Sequence, residues 1–111
     1  MCDKPVAPVL WALDEVVDHW DSMILRAYAW IDGARVLYQE GTLDAMLPVA
    51  ELIRRGFEGE RLPDGFAMFG GTFAAIGGIR PASRFEFELE DPVLKRNISH
   101  GYDVIELPVL G

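Results

Sequence analysis

The chain has 111 residues, of which 50% are hydrophobic and 25% are charged. This composition is typical of a folded domain and excludes a disordered segment. The 18 acidic and 10 basic residues give a formal charge of −8, which opposes binding to nucleic acid and to anionic membranes. We therefore expect no direct contact with either.

The length is that of one domain, and no internal repeat or low-complexity linker divides residues 1–111. Cys2 is the only cysteine, so we expect neither an intramolecular disulfide nor a cysteine-based zinc site. The apolar runs are far shorter than the ~20 residues of a membrane-spanning helix, and no signal sequence is recognisable. These features predict a soluble, cytoplasmic protein that holds no cofactor.

Residues 8–21 are predicted to form an amphipathic helix, because a spacing of ~100° per residue separates apolar from acidic side chains. Trp11 falls on the acidic side, together with Asp14, Glu15 and Asp18. An exposed tryptophan beside carboxylates is more typical of a contact surface than of a solvated face, so we expect these four residues to bind a partner. The apolar arc is predicted to face the core and consists of Val9, Leu10, Leu13, Val16, Val17 and Trp20.

The next segment is predicted to form a β-hairpin. Its two strands are joined by Asp32-Gly33, the dipeptide that suits a type I′ turn because both central positions need a positive φ. With Ile31 opposite Ala34, the predicted core face carries Leu25, Ala27, Ala29, Ile31, Val36 and Tyr38. The other face then carries Arg26, Tyr28, Trp30, Arg35, Leu37 and Gln39.

A strip on this second face is a possible ligand site. Trp30 and Arg35 are predicted cross-strand neighbours, and Tyr28 and Arg26 continue the row. Such a strip is able to stack on a base, a sugar ring or an acidic partner. The alternative is that another element of the chain covers it while the arginines reach past the rings to water. The net charge of −8 favours this second interpretation over a nucleic-acid platform.

A second helix is predicted within residues 42–56, with Thr42 as its N-cap and Gly56 at its end. Pro48 is tolerated only in a first turn, so the regular helix is expected to begin near Leu47. For residues 62–81 the pattern favours a hairpin over Gly70-Gly71, with a short buried helix as the alternative. The core residues expected from this segment are Phe66, Met68, Phe69, Phe73 and Ile76.

Residues 84–90 alternate so regularly that they predict a strand, with Phe85, Phe87 and Leu89 inward and Glu86, Glu88 and Glu90 outward. Carboxylates along one strand face repel one another unless they are solvated or meet a cation. Their spacing along a flat strand does not suit calcium or magnesium. We therefore add Glu86 and Glu88 to the candidate partner-binding residues. A turn at residues 99–101 and a last strand at 102–107 are predicted to follow.

Histidine chemistry is not expected. His19 and His100 are the only histidines, and neither has a cysteine or a second histidine at the spacing of metal ligands. Ser99, His100 and Asp103 are too close in sequence to converge as a catalytic triad. We expect no catalytic or metal-binding residue.

The order of these elements predicts the α+β class, with a mainly antiparallel, twisted sheet of four to six strands and two helices packed on one face. The functional hypothesis is a non-catalytic acidic interaction domain, an inhibitor or immunity-type protein of bacterial or phage origin, which binds a basic surface on a larger protein. A second interpretation is a small-molecule binder or small enzyme with a pocket near Trp30, Tyr28 and His100. A third is a homodimer or phage structural subunit that associates through residues 84–90 or the Trp11 face. The negative charge alone is also explained by solubility.

Overall fold

A computed structural model of the chain describes residues 5–57, 62–105, 107 and 108. Its strands form one antiparallel sheet in the order β2-β1-β3-β4. The predicted α+β class with an antiparallel sheet is therefore confirmed. In chain order the elements are α1 (Leu13–Val16), the 3₁₀ helix Val17–Ser22, β1 (Ile24–Ile31), β2 (Ala34–Thr42), the 3₁₀ helix Leu43–Ala45, α2 (Val49–Gly56), β3 (Arg84–Asp91) and β4 (Arg96–Asp103).

The turn between β1 and β2 is the one that the sequence predicts. Asp32 and Gly33 adopt φ values of 51° and 80°, as a type I′ turn requires. Ile31 pairs with Ala34, and Trp30 pairs with Arg35. The turn chemistry thus sets the register of the hairpin at its closed end.

A β-bulge interrupts this hairpin further along. Tyr28 pairs with Leu37 whereas Ala27 pairs with Gln39, so Tyr38 is the extra residue. Because of this extra residue, Gln39 lies on the same sheet face as Ala27. The prediction that Gln39 shares a face with Tyr28 and Trp30 is therefore wrong. The amide of Gln39 donates hydrogen bonds to the carbonyl oxygen of Phe73 (2.5 Å) and to Thr72 Oγ1 (2.8 Å).

The main hydrophobic core lies on one face of the sheet, at the end where β1 begins and β2 ends. Its centre is Val16, Met23 and Leu43, all buried. The N–H of Leu43 donates to the carbonyl oxygen of Met23 over 3.0 Å, which joins the two chain segments at this point. The half-buried side chains packed around the centre are Trp11, Trp20, Leu25, Met46, Phe73 and Leu89.

Helix α2 follows the sequence prediction closely. It begins at Val49, directly after Pro48, and ends at Gly56. The 3₁₀ helix Leu43–Ala45 lies in the part of residues 42–56 that precedes the regular helix. Thr42 precedes that 3₁₀ helix but caps no backbone N–H, because its hydroxyl donates to the Asp44 carboxylate instead.

The predicted hairpin over Gly70-Gly71 is wrong, and so is its short-helix alternative, because residues 62–83 contain neither strand nor helix. Three of the expected core side chains are exposed, namely Phe66, Phe69 and Ile76. The segment is instead fastened to Tyr38, whose carbonyl oxygen accepts the N–H of Ile76 (2.7 Å) and whose hydroxyl accepts the N–H of Arg80 (3.0 Å). Glycines with positive φ at 65, 71, 77 and 78 turn the chain repeatedly and prevent a regular ladder.

The last strand also differs from its prediction. β4 runs from Arg96 to Asp103, so residues 99–101 lie inside it and form no turn. The turn is at residues 92–95, where Lys95 adopts a φ of 55°. The Asp91 carboxylate closes this turn by accepting the backbone N–H groups of Val93 and Leu94.

Candidate functional site

Trp11 is not the exposed side chain that the helical spacing predicts. Helix α1 begins only at Leu13, after Ala12 in extended conformation, so Trp11 lies before the helix. Its ring packs against the core and lies 4.4 Å from the guanidinium carbon of Arg96, in cation–π geometry. The sequence misplaces Trp11 because it extends the helical period to residues that precede the first helical turn.

The apolar arc of this segment is correspondingly turned outward. Helix α1 has four residues and continues as a 3₁₀ helix, inside which His19 has non-helical dihedral angles of −126° and 27°. The spacing of ~100° therefore ends after one turn, and only Val16 is fully buried. Leu10 is 78% exposed. We call the resulting exposed set the N-terminal apolar face: Val9, Leu10, Leu13 and Val17.

Exposed carboxylates lie on the same short segment as the N-terminal apolar face. Asp14, Asp18 and Asp21 are exposed, and the described part of the chain provides none of them with an ion-pair partner. Glu15 differs, because its carboxylate accepts a hydrogen bond from Arg96 Nη1 over 3.2 Å. Of the carboxylates predicted at this surface, Asp14 and Asp18 thus remain available to a partner.

A buried carboxylate, which the sequence analysis did not single out, ties this region to the sheet. Asp91 is 0% exposed. His19 Nε2 lies 2.9 Å from its carboxylate, and the N–H groups of Val93 and Leu94 donate to it over 3.0 and 3.1 Å. Arg96 Nε lies 3.5 Å away. The sequence does contain a signal for the burial of Asp91, because Asp91 continues the alternation of inward-facing residues at positions 85, 87 and 89 of β3.

These contacts keep Asp91 ionised. Burial raises the pKa of the Asp91 carboxyl, but the hydrogen bond and the charge of His19 and the N–H groups of Leu94 and Val93 together lower it below its ordinary value. His19 makes no hydrogen bond to a serine, threonine or cysteine of the described chain. The pair therefore joins the 3₁₀ helix to the end of β3, and it has the geometry of a structural contact.

In the candidate ligand strip (Arg26, Tyr28, Trp30 and Arg35), arginines of the same sheet already contact the aromatic rings. The guanidinium carbon of Arg35 lies 3.7 Å from the ring centre of Tyr28 and 5.6 Å from that of Trp30. Arg84 approaches Trp30 to 5.7 Å. The two aromatic rings are thus flanked by cations of the same sheet, and no contact with another element is seen among the described residues.

The arginines of this face are in turn paired with the carboxylates of β3. Arg26 donates to Glu40 (2.8 Å), Glu88 (3.0 Å) and Glu90 (2.9 Å), and these contacts raise its pKa, with the hydrogen bond to Glu90 as the largest cause. Glu86 lies 3.3 Å from Arg84 Nε and 3.8 Å from Arg35 Nη2. The row of carboxylates that the sequence places on β3 therefore meets cations from its own sheet.

Two other arrangements bear on small-molecule binding. His100 pairs with Phe87, on the opposite face of the sheet from Tyr28 and Trp30, so these three side chains do not line one common pocket. A hollow of about 330 Å³ is lined by Trp30 but by neither Tyr28 nor His100. Another hollow, of about 220 Å³, lies beside α2. It is lined almost wholly by apolar side chains, including Leu13, Trp20, Met46, Leu47, Leu52 and Ile53.

Residues 1–102 match the family described as "Protein of unknown function (DUF2848)". The chain belongs to the DUF2848 family. No curated protein and no solved structure matches it. Over the residues that the structure describes, this DUF2848 chain has no helix long and apolar enough to cross a membrane and no group of three or more metal-binding side chains.

Proposed function

We propose that this chain is a non-catalytic protein-interaction domain of the inhibitor or immunity type, which binds a larger protein through its N-terminal apolar face. The observation that carries the proposal is the combination of four exposed apolar side chains with three exposed carboxylates on one short segment. Protein interfaces combine an apolar centre with a polar rim in this way. The apolar side chains are Val9, Leu10, Leu13 and Val17, and the carboxylates are Asp14, Asp18 and Asp21.

The hollow beside α2 gives this surface an anchor point. Leu13 belongs both to the N-terminal apolar face and to the lining of the hollow. Binding energy concentrates where an apolar side chain of one protein fills a pocket of the other. We infer that the partner inserts one aliphatic or aromatic side chain next to Leu13.

The exposed carboxylates predict the charge of the partner's surface around this inserted side chain. Asp14 and Asp18 are exposed and unpaired among the described residues, so lysines or arginines around the inserted side chain complement them. Glu86 and Glu88 contribute less, because Arg84, Arg35 and Arg26 already contact them. The proposed partner is therefore a protein with a basic rim around an apolar projection.

The first test compares variants of the full chain in affinity capture from the native host at low and high salt. We expect Asp14→Lys/Asp18→Lys and Leu13→Ser/Val17→Ser to weaken capture of the same stoichiometric partner at least about tenfold, because each removes one component of the interface. Charge changes at exposed carboxylates alter stability by only ~0.5 kcal/mol, and circular dichroism verifies that Leu13→Ser/Val17→Ser, which alters half-exposed side chains, is folded. Calorimetry with the identified partner then gives the dissociation constants.

Glu86→Gln/Glu88→Gln provides the matched control on the other acidic surface. It removes two negative charges from carboxylates that have arginine partners, and we expect it to leave the affinity nearly unchanged. Equal capture by the wild type and both N-terminal double variants would overturn the proposal. Absence of any stoichiometric, salt-sensitive partner would do the same.

A small apolar ligand is a second candidate function, and the hollow beside α2 is the observation that favours it. Hollows of this lining bind small apolar molecules without a large rearrangement. A rise in melting temperature with such a compound, lost in Leu52→Gln, would support this alternative. No rise with a panel of small aromatic and aliphatic compounds would exclude it.

A further inference from the structure

The two outer edges of the sheet differ. On β2 the bulge at Tyr38 and the segment 72–80 occupy the edge, and the N–H of Ile76 donates to the carbonyl oxygen of Tyr38. Along residues 97–101 of β4, no segment in the described ranges pairs with the outer edge. Every second residue of an edge strand directs its N–H and C=O away from the sheet. These backbone groups of β4 are free to pair with another strand.

Along residues 97–102, β4 also lacks the lysines, arginines, carboxylates, prolines and bulges that normally prevent such pairing. Edge strands are protected by lysine, proline, bulges or brevity. β4 has eight residues with no lysine or proline, and its register with β3 runs without a shift from Arg84 opposite Asp103 to Asp91 opposite Arg96. Among the described elements, this is the strand edge best suited to addition.

Exposed apolar side chains lie at both ends of β4. Val93 and Leu94 lie in the turn before it, and both are about half exposed. After the strand come Val104, which is partly exposed, Ile105 at 83% and Leu107 at 74%. When two copies of β4 pair antiparallel about a two-fold axis, the turn before β4 in each copy lies beside the residues that follow β4 in the other copy.

We propose that a second copy of this chain pairs antiparallel with β4, so that the two four-stranded sheets form one continuous sheet of eight strands. The self-complementary placement of the apolar ends favours a second copy over an unrelated strand. The same axis brings Lys95 of each copy toward the Asp103 end of the other, which adds opposite charges. None of the residues that carry this proposal belongs to the N-terminal apolar face.

Sedimentation velocity over a range of concentrations tests the proposal directly. We expect the wild type to form a dimer and Asn97→Lys/Ser99→Lys to raise its dissociation constant at least about tenfold, because lysines of the two copies then meet across the axis. Within one chain Ser99 lies opposite Glu88, so a lysine there is compatible with folding, which circular dichroism verifies. Leu37→Lys, on the same sheet face but in β2, is the matched control and leaves the dimer intact.

Cross-linking locates the interface. In a Cys2→Ser background, we expect Ser99→Cys to give a disulfide-linked dimer under mild oxidation, whereas Leu37→Cys does not. A wild type that remains monomeric at every concentration would overturn the proposal and leave the edge to a strand of another protein. A dimer that survives in the folded Asn97→Lys/Ser99→Lys variant, or that cross-links through Leu37→Cys alone, would also overturn it.

Discussion

At the scale of single residues, Asp91 controls how the N-terminal segment attaches to the sheet. Its carboxylate is buried, and His19, Val93 and Leu94 hold it by hydrogen bonds. Because the pKa of this carboxyl is lower in the folded protein than in the unfolded chain, the ionised form stabilises the fold. That contribution is complete above the unfolded pKa of ~3.9 and is lost as the pH falls through the folded value.

Asp91→Asn is therefore expected to lower the melting temperature at pH 7 by at least about 5 °C, because a neutral amide replaces the buried carboxylate that His19, Val93 and Leu94 contact. The difference between variant and wild type is expected to shrink as the pH falls below about 4, because the unfolded wild-type chain then takes up a proton at Asp91, and to vanish once the pH is also below the lower pKa of the folded state. Asp103→Asn is the control, since Asp103 is exposed and pairs only at the surface with Arg84. A melting temperature of Asp91→Asn equal to that of the wild type at pH 7 would contradict this role.

Gly41 has a second residue-scale role, because a Cβ atom there would lie 3.0 Å from the ring of Phe73. Phe73 packs against the core cluster, so its ring has little room to move. We expect Gly41→Ala to lower the free energy of unfolding by ~1 kcal/mol or more.

Gly56→Ala is the matched control for that substitution, since Gly56 ends α2 and open space surrounds its Cβ position. It is expected to be neutral or slightly stabilising. Urea midpoints of the two variants measure the difference. Equal midpoints would show that Phe73 does not pack on β2 as described.

At the scale of elements, local chemistry predicts some features and long-range packing decides others. Asp32-Gly33 specifies a turn by its own dihedral preferences, and the alternation of residues 84–90 specifies a strand. The bulge at Tyr38 has no such local signal, because it depends on the hydrogen bonds that Tyr38 makes to Ile76 and Arg80. The conformation of residues 62–83 also depends on long-range contacts, in this case on hydrogen bonds to Tyr38 and Gln39 of β2.

The same distinction applies to the candidate site. Asp14 and Asp18 are exposed as the sequence predicts, because their polarity alone excludes them from the core. Trp11 and Glu15 are not free, because both contact Arg96, which is 81 residues from Glu15 in sequence. A helical projection of residues 8–21 contains no information about that arginine. The exposure of Leu10, Leu13 and Val17 follows from the same short helix.

At the scale of the whole molecule, pairing of charges within the sheet determines what its open face is able to bind. Arg26, Arg35 and Arg84 are the cations of that face, and each contacts a glutamate of β3. Nucleic-acid affinity depends on free cations that replace counterions at phosphates. With a net charge of −8, the protein is expected not to shift single-stranded DNA or RNA in a mobility assay at micromolar concentration.

Glu86→Gln/Glu88→Gln/Glu90→Gln gives a stricter test of this prediction. It removes the β3 carboxylates from these arginines, leaves Arg26 its contact with Glu40 and Arg84 its contact with Asp103, and changes the net charge from −8 to about −5, one unit for each substitution. Tyr28 and Trp30 remain in place as stacking surfaces. We expect this variant to retain single strands weakly and only at low salt, while the wild type retains none. A wild-type shift that weakens steeply with salt would mean that the paired arginines still bind phosphates, and the sheet face would then be a nucleic-acid surface after all.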